Sequence, residues 1–302
     1  MFVKVLSSKG YENCSKNCGD CIIIDNGSEL VIYDCGCEEH AKRVIEYMKQ
    51  KGYDLVTVVL SHNDSDHFDG ITYLLEEEKV SKIVTVLLLK YKDELLDKID
   101  DGRKNRNSIS EQIKDLYANI ASLSKKVTLQ NIYDNGKTIS IAEGIEVVGP
   151  DEEYMLDAVA KGLDTREGDT IDGETIVNAT SVQVQVAFDG KALLLTGDSS
   201  FEAIKDRLTE YQIIQLPHHG KKAQAEQIFD ELFGKNEIVY IVSDNTGDSN
   251  GGSDKLDVKG HIVKNTKNDS NIELAETNIN SYGRRSGSYG YKGVEYALSI
   301  RK

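Results

Sequence analysis

Four apolar runs in this chain each stop on polar residues or residues of the cation-ligand type. "LVTVVL" (55–60) runs into "SHNDSDH", "ALLLT" (192–196) into "GDSS", "IIQL" (213–216) into "PHHG", and "IVYIVS" (238–243) into "DN". A short apolar run without alternation reads as a strand covered on both faces. Such strands lie inside layered α/β folds, where sites gather beyond the carboxyl ends of the strands. The pattern predicts an α/β fold in which these loops share one edge. His62, Asp64, Asp66, His67, Asp198, His218 and His219 then come within reach of one another, and four of the six histidines lie in these loops.

Carboxylates crowded together repel and raise each other's pKa, so the cluster needs a cation. Imidazole and carboxylate are the ligands of zinc and manganese, and a pair of such ions supplies hydroxide at neutral pH and stabilises transition-state charge. The expected chemistry is hydrolytic. Alone, the H-x-D-x-D-H stretch reads equally well as a solvated capping turn; Asp198 and the "HHG" pair tip the balance. His40 reads as a helix-surface residue, and His261, in a Gly-rich stretch, as incidental.

Elsewhere, "FVKVL" (2–6), "CIIID" (21–25) and "LVIYD" (30–34) read as an antiparallel meander, followed by a helix over 38–51 with Ala41, Val44, Ile45 and Met48 on one face. Residues 91–126 form a charged helical insertion with Leu95, Leu96, Ile99, Ile109, Ile113 and Leu116 as its apolar stripes. Further strands are expected at 145–150, 181–188 and near 294–300, whereas 244–290 shows no sustained period. The 302 residues are expected to form one domain. No run approaches the ~18 apolar residues of a membrane span, so a cytoplasmic protein is expected. Five cysteines between 14 and 37 read as reduced, partly buried residues beside strands; a structural zinc site is the alternative, without the paired knuckles that would favour it.

The set "SHNDSDHFDGI", "LLLTGDSS" and "QLPHHGK", in this order, resembles the metallo-β-lactamase fold, and more narrowly the soluble hydrolase domain of ComEC-type DNA-internalisation competence proteins. "GDCIII" with "IYDCG" is similar to that family's opening hairpin, and "NATS" (178–181) to its Asn-x-x-Ser; the resemblance spans about residues 1–245. It implies a four-layer αββα sandwich holding two divalent metal ions, zinc or manganese. His62 and Asp64 would bind the first ion, Asp66 and His67 with His219 the second, and Asp198 would bridge them. Asp66 and His218 are the residues expected at the chemistry, His218 contacting substrate or protonating the leaving group, and Asp34 would orient the motif histidines. The common superfamily motif is H-x-H-x-D-H, so Asp64 is a departure, and no histidine stands near 178, where Asn178 could substitute. More oxygen ligands favour harder ions such as manganese.

The resemblance implies a phosphodiester substrate in nucleic acid or a nucleotide, with Lys221 and Lys222, and further off Arg103, Lys104 and Arg106, as phosphate contacts. A solvated surface is the commoner fate of short basic runs. Lys and Arg total 36 against 51 Asp and Glu, a formal charge of −15, so contact with a polyanion must be local. A small phosphodiester, such as a cyclic dinucleotide or a phosphorylated headgroup, and a non-catalytic binding module with a degenerate metal site are the alternatives.

Overall fold

The computed structural model describes residues 1–12, 17–99, 102, 104–116, 120, 123, 126–164, 170–235, 237–246 and 252–275. Strands β1 (Phe2–Val5), β2 (Cys21–Asp25) and β3 (Leu30–Cys35) are followed by β4 (Val56–Val59), β5 (Val80–Thr85) and β6 (Thr128–Asn131). A small hairpin, β7 (Tyr133–Asp134) and β8 (Lys137–Thr138), precedes β9 (Ser140–Ala142) and β10 (Ile145–Gly149). A second, β11 (Thr170–Ile171) and β12 (Glu174–Thr175), leads to β13 (Gln183–Phe188), β14 (Lys191–Leu195), β15 (Ile213–Gln215), β16 (Val239–Val242), β17 (Ile262–Asn265) and β18 (Ile272–Ala275).

Among the described residues these strands build two seven-stranded sheets, ordered β18-β1-β2-β3-β4-β5-β6 and β17-β16-β15-β14-β13-β10-β9. Each has an antiparallel half and a parallel half. In the first, β3, β4, β5 and β6 run parallel; in the second, β14, β15, β16 and β17 do. The parallel strands of each sheet release their carboxyl ends on the same side, so the loops after β3 and β4 sit beside those after β14 and β15. Ser61 and Val182 join the sheets there: the Val182 N–H donates to the Ser61 carbonyl at 2.9 Å, and the Tyr33 hydroxyl donates to the Val182 carbonyl at 2.6 Å.

The layering follows from period-two alternation. Leu193, Leu195, Ile213, Val239 and Ile241 face the main core between the sheets, whereas their neighbours Leu194, Ile214, Tyr240 and Val242 form a second core with Ala225, Ile228 and Phe229 of the helix Lys222–Glu231. Continuously apolar strands are therefore strands covered twice, by a sheet and by a helix. On the first sheet the cover includes helix α1 (Glu38–Lys51), which buries Ala41, Val44, Ile45 and Met48, and helix α2 (Ser65–Glu76), which buries Phe68, Ile71 and Leu74. The mixed α/β sandwich expected from the sequence is present.

The meander of β1 to β3 is antiparallel as expected. The insertion carries helices Lys92–Lys98 and Arg106–Leu116, with Leu95, Ile99, Ile109 and Ile113 buried; Leu96 is only partly buried and Leu116 is 38% exposed. The stretch 244–290, which shows no sustained period, contributes two four-residue strands among its described residues, β17 and β18. The strand expected near 294–300 falls outside the described residues. No helix among the described residues is long and apolar enough to cross a membrane.

Candidate metal centre

The Ser61–His67 segment turns from a strand end into a helix start. His62 follows β4, Asp64 is the N-cap of α2, and Asp66 and His67 lie in its first turn, where the free N–H groups favour negative charge. Asp198 follows β14 and the His218–His219 pair follows β15. Both histidines have left-handed backbones, with φ of 51° and 54°. That conformation costs a non-glycine residue ~1–2 kcal/mol, so packing around the turn must impose it.

The structure brings these side chains together at the rim between the sheets. Asp198 Oδ1 is 3.3 Å from His67 Nε2; its Oδ2 is 3.9 Å from His62 Nε2 and 3.7 Å from His218 Nε2. Asp64 Oδ2 approaches His62 Nε2 at 3.7 Å, and Asp66 Oδ2 lies 3.1 Å from His219 Nε2. Ligand atoms of His62, His67 and Asp198, and those of Asp66, His67 and His219, form triads with every separation within 4.8 Å. His62 Nε2, His67 Nε2 and Asp198 Oδ1 are buried without a hydrogen-bond partner. Buried polar atoms are almost always paired; three unpaired ones converging on one spot fit a divalent cation, which would satisfy all of them.

The rings are held from behind. Asp34, fully buried, accepts from the Ser61 N–H at 2.7 Å and the Ser61 hydroxyl at 2.6 Å, and its Oδ2 is 2.8 Å from His67 Nδ1. A carboxylate only accepts, so His67 carries its proton on Nδ1 and turns Nε2 to the rim. His62 Nδ1 is flanked by the hydroxyls of Ser61 at 2.9 Å and Ser181 at 3.2 Å. His219 Nδ1 lies 2.9 Å from the Ser243 carbonyl and 3.1 Å from Asp20 Oδ1, and Gln215 donates to the other oxygen of Asp20 at 2.6 Å.

Gly19, at φ +51°, and Gly36 are forced by the closeness of this packing, since a Cβ at either would collide with the Asp66 carbonyl. The same segment donates the Asp20 N–H to that carbonyl at 3.0 Å. Asp66 is therefore clamped by backbone from two loops.

The electrostatics follow from the crowding. Burial opposes charge on His67, yet Asp198 and Asp34 hold its pKa well above the usual histidine range; Asp198, Asp20 and Asp66 do the same for His219. Burial likewise opposes charge on Asp198, but His67, His219 and His218 keep it well below the carboxylate range, and Asp66 is lowered by His219 and His67 against its own burial. The closeness of the His62 ring lowers Asp64.

Asn178, buried on the turn Ile176–Ala179, accepts from the Thr175 hydroxyl at 2.8 Å; the side chain of this segment that touches His62 is Ser181. Lys221 donates to Glu174 at 2.8 Å and to the Gly173 carbonyl at 3.1 Å. Lys222 pairs with Glu226, Arg106 with Asp93, and Lys104 donates to Gln112; Arg103 lies outside the described residues. His40 is fully buried, not on the helix surface: its Nδ1 meets the Tyr11 hydroxyl at 2.9 Å, and burial lowers its pKa to about 4. His261 stacks on Phe229 at 3.8 Å.

Cys21 and Cys35 face each other across β2 and β3, fully buried. Cys18 and Cys37, with Glu39, place their ligand atoms within 4.8 Å of one another; Cys14 lies outside the described residues. Asp20, Glu174 and Ser181 were not singled out from the sequence. The Asp-Gly dipeptide before Glu174 marks a hairpin turn that could have drawn notice.

A family model described as the metallo-beta-lactamase superfamily matches residues 19–243. No curated protein matches the chain. Among solved structures, the metallo-beta-lactamase fold protein YhfI from Bacillus subtilis is similar at 13% identity and a TM-score of 0.51, covering 90% of this chain and 98% of its own. Igni18, described as a novel metallo hydrolase from the archaeon Ignicoccus hospitalis, is similar at 12% identity and a TM-score of 0.49, covering 91% and 99%.

Proposed function

The chain belongs to the metallo-beta-lactamase superfamily, a superfamily of metallo-hydrolases, and on that premise we propose that it is a two-metal phosphodiesterase acting on nucleic acid or a nucleotide. The observation that carries the reading is the convergence of three unpartnered buried atoms, His62 Nε2, His67 Nε2 and Asp198 Oδ1, on one spot. His62 and Asp64 would hold a first divalent ion, Asp66, His67 and His219 a second, and Asp198 both. When bound, the pair supplies an activated water and neutralises charge on the reacting phosphate. His218, with 16% of its side chain exposed beside Asp198, would meet the substrate. The narrower likeness to ComEC-type hydrolase domains supports the phosphodiester.

A small phosphodiester is favoured as the second reading by one observation. Lys104, Arg106, Lys221 and Lys222, the described members of the two basic knots, each have a partner within the protein, and the total charge is −15. A duplex binder presents a broad free basic face.

The test is elemental analysis of the purified protein beside turnover of phosphodiester, phosphomonoester and thioester substrates. Two ions per chain and phosphodiester cleavage that stops with chelator are expected; cleavage of the thioester alone would sink the assignment. Salt then separates the two substrate readings, because neutralised phosphates release counterions: a polymer should lose affinity steeply with salt, and a dinucleotide only slightly.

A further outcome concerns protons. Asp198 and Asp34 around His67, and Asp198, Asp20 and Asp66 around His219, raise the pKa of both rings and so favour protons on them that an ion must displace. Manganese binding is therefore expected to release protons and to tighten as pH rises. Calorimetric titrations in two buffers of different ionisation enthalpy measure the release; identical heats would contradict it.

A further inference from the structure

Glu174 has no part in holding the ions, yet it is among the most buried charged groups of the molecule, at 1% exposure. It opens β12, directly after the turn of its hairpin, and both its oxygens are engaged. Oε2 lies 2.7 Å from Nδ1 of His218; Oε1 accepts from Lys221 Nζ at 2.8 Å and from Gln224 Nε2 at 3.1 Å. Gln224, fully buried, also donates to the Asp172 carbonyl at 2.8 Å, and Lys221 donates to the Gly173 carbonyl, so the hairpin is tied to the start of helix Lys222–Glu231. The carboxylate is thus fixed before His218 is considered.

Its effect on His218 follows from donor chemistry. The carboxylate accepts, so Nδ1 donates, and the ring turns Nε2 to the rim, 3.7 Å from Asp198 Oδ2. His218 sits in a left-handed backbone and is partly exposed. Released from Glu174, such a ring can swing towards solvent.

We propose that Glu174 is a positioning residue that holds His218 with Nε2 aimed at the substrate, so that it hands a proton to a departing alcohol. The leaving group is accordingly an alkoxide, such as a sugar hydroxyl, which needs a proton to depart, and not an acidic phenol or phosphate, which does not. This rests on the phosphodiester reading. As the oxygen of water bonds to phosphorus, the phosphorus–oxygen bond to the alcohol breaks. The electron pair of the departing oxygen takes the proton on Nε2, and the proton lost by the water restores it.

Two measurements on the full chain test this. In protein labelled with 15N at histidine, Nδ1 of His218 is expected to be protonated, and Glu174→Ala is expected to abolish that signature. A wild-type ring with Nδ1 bare, or a spectrum unmoved by the substitution, would overturn the proposal. The second compares a dinucleotide with bis(4-nitrophenyl) phosphate, both with manganese. Glu174→Gln is expected to slow the dinucleotide about a hundredfold and the nitrophenyl ester less than about tenfold, and His218→Asn to show the same bias. Equal losses on the two esters, at unchanged metal content, would reduce Glu174 to a purely structural role. Wild-type protein that cleaves neither ester, with the Nδ1 signature present, would sink the phosphodiester reading and the leaving-group assignment, while leaving the hold of Glu174 on His218 standing.

Discussion

Asp198→Ala is expected to abolish turnover and strip the rim of at least one ion while leaving the protein folded. Among the residues of the rim, Asp198 comes within 4 Å of three imidazoles, those of His62, His67 and His218. On the proposed two-metal reading, deleting its carboxylate removes the shared ligand and leaves two half-sites. The loss should exceed about a thousandfold, ~4 kcal/mol of transition-state stabilisation. Folding should barely notice. Its Oδ1 makes no hydrogen bond, and the backbone N–H that Ser181 accepts at 3.2 Å survives in alanine. The imidazoles it leaves can lose their protons and so avoid remaining as unpaired buried charges. The melting temperature should stay within about 3 °C of wild type. Elemental analysis with a thermal melt reads both sides, and two ions with full turnover in the variant would remove Asp198 from the centre.

That separation of function from stability explains which features were visible in the sequence. Side chains of cation-ligand type crowded at strand ends stand out in a sequence, so His62, Asp64, Asp66 and His67 appear together in "SHNDSDH", and Asp198 and the histidine pair each follow a run buried on both faces. The supporting groups obey no such spacing. Glu174 reaches His218 from a two-residue strand announced only by the Asp-Gly turn before it, and Asp20 reaches His219 from before β2 with no sequence neighbour to announce it. Ser181 was in view within "NATS", but Asn178 was the residue chosen there, and its amide oxygen turns to Thr175.

The fold divides in the same way. Strands β2 and β3 are fully buried along their length and were legible as apolar runs. β17, with four partly exposed residues, and β18, with alternating burial, are too short to display a period. They are strands because the open edges of β16 and β1 supply their hydrogen bonds, which is a tertiary cause. The basic knots were open to two readings, phosphate contacts or the commoner solvated surface, and Arg106, Lys104, Lys221 and Lys222 each have a partner nearby that local sequence could not reveal.

Asp34→Ala should behave unlike Asp198→Ala, destabilising the protein as well as silencing it. The two carboxylates lie on opposite sides of the His67 ring, but Asp34 receives three donors, the Ser61 N–H, the Ser61 hydroxyl and His67 Nδ1–H, all buried. The two Ser61 donors cannot escape by losing a proton cheaply, as the imidazoles around Asp198 can. Orphaned buried donors cost ~1–3 kcal/mol each, and the residue's left-handed backbone, φ 57°, suits aspartate better than alanine. A loss of roughly 3–5 kcal/mol follows, which for a chain of this size lowers the melting temperature by about 8–15 °C. Asp34→Asn distinguishes packing from proton placement. The amide keeps the volume and one acceptor, so much of the stability returns, but its NH2 group opposes a donor. If that donor is His67 Nδ1–H, the ring moves its proton to Nε2 and can no longer bind an ion there. Asp34→Asn is therefore expected to melt closer to wild type than Asp34→Ala and still to lose metal and turnover. An asparagine variant with wild-type metal content would mean that His67 is held by packing and not by the carboxylate.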